Sequence, residues 1–260
     1  MAGQIVRHPD DDSPRLAYAD AVAAEDPERA EFIRLQIARF RGDAARGASS
    51  RPGPREAALR TQHGARWAQA IAPYARAPQP GSPFQGYEFE RGFVARLRTE
   101  PAIVASMGDR LVSLAPIEHL ELTAAGPFLP AFAAPCLGQM RSLAFNQLGL
   151  GDDDAVALAE RGHLDRCEWL SLRGNQIGSR GIAALLASPK IRRIPVVMLH
   201  GNRSDPTVQV SQDLDGGVLV HGLPPDSEAA EARYGRIAWL HIPPFGPGQP
   251  DRFHPRGPIT

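Results

Sequence analysis

Few residues in this chain have the type and spacing for chemistry. His119 and Glu121 stand two apart, which places both side chains on one face of an extended segment, where an imidazole and a carboxylate form a minimal acid/base pair. The ordinary role of such a pair on a surface is solvated, and that is the expectation here. Asp152, Asp153 and Asp154 follow Gly151 and suggest a cation site, but they come just before the helical run Ala155 to Ala159. There, carboxylates cap free amides and favour the positive end of the helix dipole. Cys136 and Cys167 are too few for a disulfide framework or a Cys-only zinc site. No nucleophile elbow, phosphate loop, HExxH or paired-cysteine motif is present. The sequence therefore predicts no catalytic residue, no metal and no cofactor.

Composition narrows the class further. Hydrophobic residues make up 43% and charged residues 22%, near the globular average, so a core can be buried. The 260 residues suffice for one elongated domain or for a small module joined to a larger one. No run approaches the roughly 18 apolar residues of a membrane helix. Met1 to Pro14 is polar and lacks the apolar core of a signal peptide, so a cytoplasmic location is expected. Net charge is zero, and the arginines that supply nearly all positive charge are interleaved with acids, so neither nucleic acid nor membrane is an expected partner. Arginine in place of lysine, with abundant Ala and Pro, fits a GC-rich bacterial genome.

The elements that must position any site are set by one apolar pattern. Ile117, Leu120 and Leu122 occupy relative positions one, four and six. Met140, Leu143 and Phe145 repeat the spacing, followed by Cys167, Leu170 and Leu172, then by Ile194, Val197 and Leu199. Successive starts lie 23, 27 and 27 residues apart, the period of a leucine-rich repeat. The third copy, LSLRGNQIGSRGIAALLAS, resembles the ribonuclease-inhibitor-like class through Leu170, Leu172, Asn175, Ile177, Gly178, Gly181, Leu185 and Leu186. Asn175 is expected to turn inward at the strand end and satisfy the backbone of the turn, and Asn202 repeats it. The equivalent positions in the first two copies are Ala125 and Leu148, so those turns are expected to be less secure.

Ahead of the repeats, residues 13 to 41 predict two helices, each opened by an acid or hydroxyl residue and then proline, at Ser13-Pro14 and Asp26-Pro27. The stretch RLAYADAVAAEDPERAEFIRLQ resembles the bacterial repeat-companion domain, a short module found ahead of repeats, to which no activity is attached. Arg15, Leu16, Tyr18, Ala19, Asp20, Asp26, Pro27, Arg29, Glu31, Phe32, Ile33, Leu35 and Gln36 carry the likeness, while Val22 stands where a Trp is common. Residues 42 to 54 read as linker and 55 to 72 as a further helix holding Trp67. Tyr87 to Arg98 reads as one strand with Gly92 at a bulge or close contact, and Pro101 to Leu114 as a helix, together forming an irregular first repeat.

The expected fold is α/β: a short leucine-rich-repeat solenoid with parallel strands on the concave face and helices on the convex face, preceded by a small all-α module. The expected boundaries are 1–76 for the helical module, 77–86 for a linker, 87–205 for the repeats, 206–242 for a C-terminal hairpin and cap, and 243–260 for a Pro/Gly-rich tail. Within the cap, a hairpin around Asp215-Gly216, a helix from Asp226 to Tyr234 and a strand from Arg236 to Ile242 are predicted.

Strand alternation turns this period into a surface. Positions four and six point inward, and positions three, five and seven point outward. The outward positions hold His119 and Glu121 in the first copy, Trp169, Ser171 and Arg173 in the third, and Val196, Met198 and His200 in the fourth. His119 and His200 would stand three strands apart, roughly 14 Å, too far to share a metal. A Trp beside an Arg is the composition of an interface hot spot, so these eight residues are the expected binding face for a protein or peptide, unless the C-terminal segment covers it. The function expected is a non-catalytic, monomeric adaptor or scaffold. The alternative is a regulator, activating or inhibiting, of a partner enzyme such as a GTPase or kinase, with Arg173 as an inserted arginine.

Overall fold

The computed structural model describes residues 2–46, 50–77, 86–123, 126, 128–204, 210–212, 218–220 and 225–241. The fold is α/β, and the chain divides into two compact units, Met1–Glu121 and Leu122–Thr260. The division falls inside a strand, not in the expected linker at 77–86.

The reason lies in how the first unit is packed. Its helices are α1 (Ala2–Arg7), α2 (Ser13–Val22), α3 (Pro27–Arg46), α4 (Pro54–Trp67) and α5 (Pro101–Leu114). Its strands, in sheet order, are β1 (Tyr87–Glu90), β2 (Phe93–Thr99) and β3 (His119–Leu122). The single strand expected over 87–98 is instead an antiparallel hairpin in which Glu90 pairs with Phe93. Arg91 and Gly92 form its two-residue turn, both at positive φ, as the twist of tight hairpins requires. The turn is pressed onto α3: a Cβ at Gly92 would lie 2.4 Å from Ile33 Cγ1. Gln36 on the same helix accepts the Gly92 N–H at 2.8 Å and donates to Glu56 at 2.9 Å. Phe32 packs edge-on against Phe89. The helical module and the hairpin thus share one core, so a boundary between them would cut through buried side chains.

Other local differences have equally direct causes. Helix α1, with Ile5 buried, lies in the segment read only as polar. Helix α3 runs past residue 41 because Asp43 pairs with Arg39 one turn earlier, at 3.5 Å, and Gly42 alone does not end a helix. At the start of α2 the N-cap position falls on Asp12, and Asp11 accepts the Ser13 N–H. Asp12 is committed to Arg41 at 2.9 Å and Arg91 at 3.4 Å. Asp20 and Glu31 carry salt bridges to Arg34 and Arg55, while Arg29 is buried with its guanidinium 4.9 Å from the rings of Trp67 and Phe93.

Asp26 caps α3 through the Arg29 N–H and also accepts from the Trp67 indole at 3.1 Å. Burial raises its carboxyl, but the hydrogen bonds from Trp67 and Arg29 and the charge of Arg66 outweigh this and hold it below the usual carboxylate range. A depressed folded value means stability that is present above the unfolded value and is lost as pH falls through the folded one. Asp26→Asn is therefore expected to lower the melting temperature at neutral pH and to converge with the parent as pH falls through the depressed folded value. A constant difference across a pH series of thermal melts would contradict this.

In the second unit, β4 (Ser142–Ala144), β5 (Trp169–Ser171) and β6 (Val196–Met198) are parallel and in chain order. Ser142 aligns with Trp169 and Val196, Leu143 with Leu170 and Val197, and Ala144 with Ser171 and Met198, the alignment demanded by the 27-residue spacing. Helices α6 (Phe128–Phe132), α7 (Asp152–Arg161), α8 (Ser179–Ala187) and α9 (Pro189–Arg192) connect and flank these strands. Leu143, Phe145, Leu170, Leu172, Val197 and Leu199 are buried, as are Leu158, Leu185 and Leu186 of the helices. Strands β7 (Val210–Gln212) and β8 (Val218–Val220) form an antiparallel pair, with the expected Asp215-Gly216 turn outside the described residues. Helix α10 (Pro225–Tyr234) packs on α8, where Arg192 of α9 lies over Tyr234. The strand expected over 236–242 is a 3-10 turn, Ala238–His241, packed on β6. Trp239 and Leu240 are adjacent in this turn and both buried.

Candidate interaction face

The second unit is held together at its strand ends by two asparagines. Asn175 Oδ1 accepts the N–H groups of Leu148 (2.9 Å) and Leu150 (3.2 Å). Its amide donates to the carbonyls of Phe145 (2.7 Å) and Leu172 (2.8 Å). Asn202 does the same one step on, accepting from Ile177 and donating to Leu172 and Leu199. Each asparagine thus serves the turn before its own. The turn around Leu148, expected to be less secure because it lacks an asparagine, is held by Asn175. Ala125 lies outside the described residues.

The three aspartates act at helix ends. Asp154 accepts the Gly151 N–H, and Asp152 reaches the next helix, accepting the N–H groups of Gly178 (2.7 Å) and Gly181 (2.9 Å). Among the described residues no group of three His, Cys, Asp or Glu side chains is arranged to hold a metal ion.

The outward positions are not the open surface that alternation suggested. Trp169 is only 3% exposed and packs with Ala144, Val196 and Met198, and Ser171 is buried beside them, its hydroxyl donating to Asn146 Oδ1. Alternation fixes the side of the sheet on which a residue lies but says nothing about what lies over that side. His119 is 1% exposed and stands 3.6 Å from Glu90, whereas Glu121 pairs with Arg98 at 3.0 Å. The two are engaged separately, with no acid/base dyad between them.

Of the eight face residues, Arg173 and His200, at position seven of their copies, remain at the margin, half-buried and exposed respectively. Comparison with protein-family models, curated proteins and solved structures returns no match. The margin must therefore be judged on its own chemistry. It is a row of turns extending the ladder beyond the strands, with Gln147 N–H donating to Arg173 O and Gly174 N–H to His200 O. Gln147, Gln176 and Arg203 are exposed there, and Arg203 donates to Gln176. Their signal was the same period carried past position seven, since Gln176 and Arg203 are 27 residues apart.

The thiols are built as core. Burial pushes Cys167 up to about 12, and its Sγ lies 3.4 Å from Trp169 O. Iodoacetamide at mildly alkaline pH is expected to leave Cys167 unmodified in the native protein and to alkylate it in urea, as peptide mass mapping would show. Rapid native labelling would contradict its place in the core.

Proposed function

We propose that this chain is a non-catalytic protein-binding module, built on leucine-rich repeats of the ribonuclease-inhibitor-like class, with the repeat-companion-like helices as part of its first unit. The parallel register of β4 to β6 at the sequence period and the asparagine ladder support the repeat reading. The binding reading is carried by Arg173: half-buried, yet making no side-chain hydrogen bond or ion pair among the described residues, at the rim of a rigid row of turns. The partner surface is then this rim, with Arg173 and His200, rather than the face around Trp169. A monomeric protein acting in the bacterial cytoplasm is part of the same proposal; among the described residues no helix is long and apolar enough to cross a membrane.

A regulator of a partner enzyme such as a GTPase or kinase is the second reading. It draws on the same arginine, because an active site developing negative charge accepts such a group. Proximity labelling in the native host tests the first reading. Arg173→Glu with His200→Glu is expected to remove a set of partners that Arg161→Glu, on the exposed end of α7, retains. An unchanged set would end the case for this rim. Trp169→Ala is unsuitable here, because it opens a buried cluster and perturbs folding.

A further inference from the structure

We infer that the rim at the C-terminal ends of β4, β5 and β6 recognises an acidic segment of the partner protein, with Arg173 as the principal contact and Arg203 beside it. This deepens the binding-module reading and rests on it. The three turns, residues 145–151, 172–178 and 199–204, contain Arg173, His200 and Arg203 and no carboxylate. The flanking acids in sequence are Asp152 to Asp154 and Asp205. Asp152 is committed to the Gly178 and Gly181 amides, Asp153 to Arg180 and Asp154 to Gly151. The segments leading into the strands differ: Arg141 pairs with Glu168 and Arg193 with Asp165, so charge there is balanced within the chain.

Arg173 is half-buried as a residue and has no counter-ion among the described residues, so its guanidinium is open to an external one. A carboxylate from outside pairs with it through two parallel N–H···O bonds, the geometry for which arginine is suited. The chain's net charge of zero supplies no general field for anions, so any attraction is local to this edge. A nucleic acid strand fits less well, because single-strand binders stack bases on exposed aromatics, and Trp169, the one aromatic of β4 to β6, is buried.

Fluorescence anisotropy on the full chain tests this, with a fluorescein-labelled glutamate-rich peptide, its glutamine counterpart and an oligo-deoxythymidylate as probes. The glutamate peptide is expected to bind, to weaken as salt rises and to exceed both other probes. Arg173→Glu and the milder Arg173→Gln are each expected to weaken it about tenfold or more, the equivalent of one good ion pair. Arg203→Glu is expected to weaken it less, and Arg161→Glu not at all. Equal binding of the glutamine peptide, tighter binding of the oligonucleotide, or equal losses at Arg161 and Arg173 would overturn the proposal. If partners identified by proximity labelling depend on Arg173 but cross-link to it through a neutral or basic segment, only this inference fails and the binding-module reading stands.

Discussion

Replacing Arg91 by methionine is expected to remove about 3–5 kcal/mol of stability from the first unit, toward the lower end of that range. Arg91 is 2% exposed at the hairpin turn, and its guanidinium pairs with Glu118 at 3.0 Å and Asp12 at 3.4 Å while lying over the Phe40 ring at 4.7 Å. One side chain therefore ties the α1–α2 connection, α3, the hairpin and the start of β3. Without it, a buried carboxylate at Glu118 loses its cation, and uncompensated burial of charge is the costly outcome. Arg15, also fully buried, limits the damage. Its value is pushed down to about 10, by burial first and by Arg91 second, so it remains charged at neutral pH and still offsets Glu118.

Lysine at position 91 should fall between, since a point charge cannot bridge two carboxylates as a planar fork does. Arg91→Met combined with Glu118→Leu should recover part of the loss, because replacing both partners of a buried pair by apolar groups is often nearly neutral. Hydrogen exchange followed by mass spectrometry is the appropriate measurement. Residues 13–22 and 87–99 should exchange faster in the single variant, with 142–199 unchanged. A loss under about 1 kcal/mol, or no recovery in the double variant, would show that the pairs are surface-like in energy.

The second large effect is expected at Asn175. Alanine there would strand the Leu150 amide and the Phe145 carbonyl in a buried turn, each a desolvated group costing about 1–3 kcal/mol, for a total of about 2–6 kcal/mol. Aspartate should be worse despite its identical shape, because the amide group that donates to Phe145 O and Leu172 O becomes an acceptor facing two carbonyls. Asn202→Ala should cost less, since that residue is only half-buried. Urea unfolding should rank the variants Asn175→Asp, Asn175→Ala, Asn202→Ala from most to least destabilised. Amide exchange at Leu148 and Leu150 should accelerate for the Asn175 variants alone. Equal effects of alanine at 175 and 202 would mean that burial does not set the energetics of these turns.

Both predictions concern residues whose importance was unevenly visible beforehand. Asn175 stood out because a buried strand-to-turn junction needs a side chain that both donates and accepts, and asparagine at that point of the period is the economical solution. That it serves the preceding turn as well was not visible, because the pattern names positions within a copy and not the stacking between copies. Arg91 gave no signal: in sequence it is one more arginine beside a glutamate. Its role depends on a hairpin turn that α3 presses into place, a contact between residues more than fifty positions apart.

What the sequence determined by itself is the local and periodic part. Apolar positions recurring at one, four and six every 27 residues set Leu143, Leu170 and Val197 level with one another in the register of β4, β5 and β6. Helix starts at proline and the inward asparagine follow from backbone groups that must be satisfied wherever the chain goes. What only the tertiary structure decided is coverage and partnership. Trp169, Val196 and Met198 lie on the side that alternation assigned them, yet they are buried in a cluster with Ala144, because exposure depends on packing between strands that no local pattern encodes. The same is true of charge. Arginines alike in sequence divide into Arg91 buried with two acids, Arg180 paired on a helix surface, and Arg173 at the rim with no counter-ion among the described residues. The physical reason is that periodicity constrains where a side chain points, whereas its energy depends on what the fold places beside it.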